Sequence, residues 1–445
     1  MAEPKETILV SEKTNALFDY DAVPSLIEVV PLGLQHVIAA VVGIVTPGLM
    51  IAQACNLSAS DTTLIIQTSL IFAGVATLIQ LFPVFRYFGA RLPVMMGASF
   101  AYVPVLITMG ANYGIATIFG SQIFGGLAVI FIGLVIKKIR VFFPPIVTGT
   151  VILSIGMSLF PVAVGYMAGG VSSSEYGSMK NWLVAIITFI IVFYLNSFGK
   201  GFLKLSSILV GMVVGYLISL PLGMVSFESV KEAGMFQMIR PLHFGLNFNF
   251  VQIFTLILLI FVDTVQAIGQ FTATTVGAMD RQPTDRELSG GILGKGLAVF
   301  LGGFFGGVPI STFGQNVGLV ISTKAINKYI LTFTSAILII AGFVPKIASL
   351  LTSIPYAVIG GATISVFATI ALTGIQTIAN EKLTSQNATI VGLSLALGTG
   401  VALSANSLQG FPEWFQTIFG ESEVILTAIM AILLNIIFNR PKLKK

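Results

Sequence analysis

Apolar stretches of about 20 residues follow one another along almost the whole chain, separated by short polar links. Stretches of that kind leave water for lipid only when each backbone N–H and C=O is bonded internally, which a helix achieves. The feature therefore predicts an all-α polytopic membrane protein. Composition supports it: of 445 residues, 55% are hydrophobic and 9% charged, and the mean hydropathy is +0.96. The 46 glycines fit close helix approach in lipid. A sliding window places about fourteen spans, near 24–47, 64–83, 92–109, 113–136, 143–165, 179–197, 205–222, 249–272, 289–306, 310–324, 328–344, 351–374, 387–403 and 422–438.

Basic residues set the expected topology. Links after even-numbered spans carry Arg86, Arg91, Lys137, Lys138, Arg140, Lys200, Lys204, Arg281, Arg286, Lys324, Lys328 and Lys382, and the ends add Lys5, Lys13, Arg440, Lys442, Lys444 and Lys445. The opposite links hold only Lys180, Lys231, Arg240 and Lys346. Eighteen against four predicts fourteen spans with both termini cytoplasmic, and the lack of an organellar targeting peptide with compact termini suggests a plasma membrane of the bacterial inner-membrane kind. The pI of 9.2 thus reports topology, not a nucleic-acid partner, because the charges are short clusters without interleaved aromatics. The polar first residues do not read as a cleavable signal peptide. The single cysteine, Cys55, excludes an internal disulfide and a multi-cysteine metal site. No Ser/His/Asp set, metal-ligand cluster or phosphate loop appears and His243 falls in a loop, so no enzyme, metal or cofactor is expected.

Two spans are broken. In "GGVPISTFGQNVGLVISTK", Gly306 to Lys324, the chain breaks at Pro309, runs extended through Ile310, Ser311 and Thr312, and restarts as a helix bearing Gly314, Gln315 and Asn316. In the third span, "ARLPVMMGASFAYV", Pro93 precedes a similar run to Gly97, then Ser99 and Phe100. Irregular backbone at membrane depth belongs against protein or a ligand cavity, and a helix starting there presents free N–H groups. The two breaks stand seven spans apart, as do "FPPIVTGTVILSIG" and "IPYAVIGGATISVF". Seven is odd, which predicts two inverted repeats of seven spans, with short extended segments in spans 3 and 10 meeting near the midplane.

Few strongly polar groups lie deep in the spans: Gln35 and His36 in the first, Asp263, Gln266 and Gln270 in the eighth, Lys295 in the ninth, Gln315 and Asn316 in the tenth. Asp263, Gln266 and Gln270, at i, i+3 and i+7, share one helix face. A flat heterocycle needs in-plane amide-like partners and an aromatic surface, which Gln266, Gln315, the backbone about Ser99 and the Phe100 ring supply, with Gly314 and Asn316 beside them. For Gln35, His36, Gln270, Asp263 and Lys295 the roles expected are coupling or support. An Asp263–Lys295 ion pair that fixes helix packing is the plain alternative.

At "GQNVGLVISTK" the chain resembles the nucleobase/ascorbate transporter family, whose signature Q-N-x-G-x-x-x-x-T followed by Arg, Lys or Gly is met by Gln315, Asn316, Gly318, Thr323 and Lys324. "LGLQHVIAAVVGIVTPGLMI", "IGQFTATTVGAMDRQP" and "IPYAVIGGATISVF" resemble its first, eighth and twelfth spans. The resemblance implies a core domain of spans one to four and eight to eleven (24–138 and 249–347) and a gate domain of the rest (139–248 and 348–439). Residues 1–23 and a basic tail, 440–445, would be cytoplasmic. It also implies a homodimer through the gate, movement of core against gate, and, with Gln at position 315, an oxidised purine (xanthine or urate) taken up with protons, or with sodium. Such carriers usually show Glu where Gln266 stands, often Asp at Gln270 and in some Asp at Lys295, so coupling through those positions is in question here. Asp263 is the substitute expected. Uracil or hypoxanthine/guanine permeases, an uncoupled facilitator and an inorganic-anion exchanger are the rival readings.

Overall fold

The computed structural model describes residues 16–139, 144–171, 173–404, 406–420 and 422–439. Lys5, Lys13, Arg140 and the basic tail 440–445 lie outside them. The described residues are mostly helical: α1 (Leu26–Ala54), α2 (Ala59–Leu81), α3 (Val103–Tyr113), α4 (Ile115–Ile139), α5 (Pro145–Met167), α6 (Met179–Phe198), α7 (Phe202–Leu205), α8 (Ser207–Ser219), α9 (Glu228–Glu232), α10 (Phe250–Met279), α11 (Asp285–Phe305), α12 (Gly314–Thr323), α13 (Lys328–Gly342), α14 (Pro345–Thr352), α15 (Tyr356–Ala379), α16 (Ser385–Leu403), α17 (Glu413–Gly420) and α18 (Glu423–Asn439). Two three-residue strands, β1 (Met96–Ala98) and β2 (Ile310–Thr312), lie where the third and tenth spans were expected to break.

Among the described residues, nine helices are long and apolar enough to cross a membrane, or ten if α13 and α14 count as one span bent by 84°. The α8 and α18 helices are apolar but shorter. One expected boundary shifts. The twelfth span begins at Tyr356, not near 351, because Pro345 and Pro355 cut residues 345–352 into the separate helix α14.

Local chemistry sets the helix ends. Thr284 and Glu287 form a reciprocal capping box at α11, and Gly306 ends that helix at φ +76°, a conformation that costs glycine little. Close packing is bought elsewhere by glycine's missing side chain: a Cβ on Gly126 of α4 would stand 2.5 Å from the Phe300 nitrogen of α11, and one on Gly156 of α5 2.5 Å from the Ala371 nitrogen of α15. These two pairs belong to different neighbourhoods. Helices α1–α4 pack mainly on one another and on α10–α13, whereas α5, α6 and α8 pack on α15, α16 and α18.

β1 and β2 pair antiparallel, with Met96 opposite Thr312, Gly97 opposite Ser311 and Ala98 opposite Ile310. The Phe313 N–H donates to the Met95 carbonyl (2.9 Å), the Ser99 N–H to the Pro309 carbonyl (3.3 Å), and the Met96 N–H to Thr77 Oγ1 (2.9 Å). The two breaks therefore satisfy much of each other's backbone in a fully buried ribbon, from which the Phe100–Tyr102 turn with α3, and α12, start.

Candidate functional site

The ribbon puts the starts of two half-helices side by side, and α10 passes along α12. The α12 start is capped by backbone alone: Phe313 contributes no side-chain cap. Gly314, Gln315 and Gly318 of α12 are exposed, and so is Gly269 of α10, flanked by the half-buried Gln266 and Gln270. A Cβ on Gly269 or Gly318 would meet nothing within 4 Å. The result is an open strip between α10 and α12 with amide groups along its sides. Neither Gln266 nor Gln315 makes a side-chain hydrogen bond to a described residue, and Gln270 Oε1 is buried without a partner. A Cβ on Gly314 would approach Gln270 Nε2 to 3.1 Å, so the two face each other across the strip.

Ser99 and Phe100 follow β1, at the start of the other half-helix. The Ser99 hydroxyl accepts from the Ala101 N–H (3.2 Å), and the half-buried Phe100 ring meets Phe367 of α15 edge to face, centroids 5.2 Å apart. Unpaired amide groups, free N–H groups and aromatic edges together can hold a planar, hydrogen-bonding solute.

The remaining expected residues stand apart from the strip. Asn316 is buried and turned away from Gln315, since consecutive helical residues project about 100° apart. Its Nδ2 lies 2.9 Å from His36 Nδ1, 3.1 Å from the His36 carbonyl and 2.9 Å from Met95 Sδ, so Asn316 joins α12 to α1 instead of lining the open face. Gln35 is half-buried and makes no side-chain hydrogen bond to a described residue. Asp263 and Lys295 form a buried ion pair that excludes Lys295 from the strip. His243 bonds Asp61 at 2.8 Å, away from all of these.

Sequence reasoning passed over two aromatic residues. Tyr102 Oη donates to Asp263 Oδ2 at 2.5 Å. The Phe313 ring fills the space beside Gly43 and Gly97, whose added Cβ atoms would stand 2.7 and 2.5 Å from it. Position offered a signal for both: Tyr102 stands three residues after Ser99, and Phe313 just before Gly314. An apolar cleft of about 190 Å³ lies between α1, α8 and α14, lined by residues such as Val45, Leu49, Met212 and Ile354. It offers a base few polar partners, whereas the α10–α12 strip offers several.

A family model described as "Permease family" matches residues 27–406. The chain belongs to this family, the nucleobase/ascorbate transporters. Among relatives of this permease, the xanthine permease of Bacillus subtilis is 36% identical over 92% of this chain and 93% of its own. The uric acid permease PucJ of the same organism is 36% identical over 93% of each. The xanthine permease XanP of Escherichia coli is 30% identical over 99% of this chain and 98% of its own. In fold, the permease is similar to the transmembrane domain of a cyanobacterial bicarbonate transporter, BicA, with a TM-score of 0.63 at 16% identity, over 92% of this chain and 97% of that one. The anion transporter SLC26A9 gives 0.61 at 11%, over 93% and 66%. The permease is thus a multi-pass membrane transporter and not an enzyme.

Proposed function

We propose that this permease imports an oxidised purine, xanthine and/or urate, across the plasma membrane by proton symport, with both termini cytoplasmic. One observation carries the substrate reading: Gln266 and Gln315 hold unpaired amides on an open strip beside two half-helix starts. Amides recognise a base strongly because a solute without the matching group leaves a partner unsatisfied, at roughly 1–3 kcal/mol each. The names of the xanthine and uric acid permeases among its relatives support the same class. On this reading the chain holds fourteen spans in two inverted repeats. The ribbon-bearing half (24–138 and 249–347) moves the base against a gate half (139–248 and 348–439) that also forms a homodimer.

A second reading, an uncoupled purine facilitator, is favoured by the amides at 266 and 270, which do not titrate, and by the pairing of Asp263. Uptake of radiolabelled xanthine into cells lacking their own purine permeases tests both. Accumulation that collapses with a protonophore and is blocked by urate, not uracil, supports symport of an oxidised purine. Uptake that only equilibrates selects the facilitator. Uracil uptake without xanthine uptake, or transport of hypoxanthine in preference, overturns the substrate assignment.

A further inference from the structure

Asp263 and Lys295 stand out from the other charged pairs of the molecule. Their side chains are 1% and 0% exposed, whereas in every other ion pair described both partners keep at least 15%. Lys295 Nζ on α11 and Tyr102 Oη both donate to one carboxylate oxygen, Oδ2. An oxygen that accepts twice has no room for a proton of its own, and the other oxygen, Oδ1, is buried without an acceptor to share one. Among the described side chains, none brings a second charge to this carboxylate from the elements around α10. The described side chains of α4, α12, α17 and β2 include no titratable group, Tyr166 of α5 stacks on Tyr356, and Glu423 at the α18 start accepts from Thr399. On α11, Asp285, Arg286 and Glu287 stand in the first turn, where Arg286 donates to the Arg86 carbonyl and Glu287 is held by Arg281, and His36 of α1 is engaged by Asn316.

We propose that Lys295 is a tethered counter-cation: its ammonium fills the place beside Asp263 that a coupling proton or sodium ion would take, so this carboxylate carries no co-transported cation. The inference rests on the permease reading. It narrows that reading, because any coupling proton must then travel by another group. The location makes the substitution consequential. Tyr102 continues directly from Ser99 and Phe100, so a charge at Asp263 is tied to the half-helix start that follows β1. With a built-in cation the pair stays neutral whether or not solute is bound, and the moving half crosses the bilayer without an uncompensated charge there.

The test compares wild type, Lys295→Met and the double variant Lys295→Met/Asp263→Asn, by melting temperature in detergent and by xanthine uptake into proteoliposomes. Both are followed from about pH 8 to about pH 5.5 and with sodium replacing potassium. The expected result is that Lys295→Met melts lower than wild type at neutral pH and recovers in acid or sodium, with uptake rising severalfold in step, while the double variant follows the wild-type profile. A Lys295→Met profile identical to wild type overturns the proposal. So does an Asp263→Asn variant that loses protonophore-sensitive accumulation but keeps exchange. If Lys295→Met does not fold, the neutral double variant carries the test: a pH profile different from wild type overturns the proposal. Melting requires no transported purine. A wild type that moves no purine while the melting pattern holds therefore counts against the substrate reading alone.

Discussion

Gln315 shows what a single side chain contributes here. Its amide is exposed at the start of α12 and bonded to no described residue, so on the proposed reading its replacement removes recognition without opening the core. Gln315→Ala is expected to weaken half-saturation for xanthine by about 5- to 150-fold, the equivalent of roughly 1–3 kcal/mol, with the melting temperature unchanged. Asn316, its neighbour, behaves oppositely. Asn316→Ala unties α12 from His36 and Met95 and lowers stability by roughly 1–3 kcal/mol, measured by thermal unfolding. Gly314 reads on geometry: a valine there collides with Gln270 and is expected to abolish uptake while the protein still reaches the membrane, which surface labelling checks. Gln266 and Gln315 were legible in the sequence as amides beside a break or an acid, whereas Gln67, Gln80 and Gln122, amides of the same kind, prove to bond carbonyls of neighbouring helices. Phe313 and Tyr102 were passed over, since one ring among 35 phenylalanines and 10 tyrosines stands out only by its place beside a break.

At the scale of the element, the segment just before α1 is held by several side chains of distant elements. Asn327, the N-cap of α13, donates through Nδ2 to the carbonyls of Ala16, Asp19 and Ala22, and Tyr20 Oη donates to the Leu81 carbonyl. Asp21 accepts from Lys328 and Arg91, both at 2.7 Å. The Lys328 hydrogen bond, helped by Arg91, holds the Asp21 carboxyl below the usual carboxylate range. A lowered folded value means the pairing contributes fully above the unfolded value near ~3.9 and is lost only as the pH falls through the lower, folded one. Hydrogen exchange of residues 16–22 is therefore expected to stay slow at pH 5 and to quicken only below about pH 4. Because Asp21 is about half exposed, high salt should loosen the segment at neutral pH as well. Asn327→Ala releases three carbonyls at once and should speed the same exchange at every pH.

For the molecule as a whole, the question is whether its two packing neighbourhoods move against each other. Phe100 leads into α3 of the first and Phe367 belongs to α15 of the second, and their rings are in contact. In a background with Cys55 replaced by Ser, Phe100→Cys and Phe367→Cys joined by a short thiol crosslinker are expected to stop uptake, and reductant to restore it. Uptake that persists with the link complete would show that transport needs no movement at this seam. The glycine contacts lie within the neighbourhoods. Gly126→Leu and Gly156→Leu are therefore expected to lower the melting temperature rather than to trap one state.

The sequence by itself determined the helical class, the windows that become helices, the two proline breaks and the intramembrane amides. All of these are local in origin: hydrocarbon demands internally bonded backbone, proline removes a donor, and a polar group in lipid is costly enough to be conspicuous. Tertiary structure decided the register of β1 on β2, the turn of Asn316 away from Gln315 toward α1, and the convergence of Lys295 and Tyr102 on one oxygen of Asp263. Each of these joins residues distant in the chain, or depends on which side of a helix is left open by a neighbour, and neither is recorded in the periodicity of a single segment.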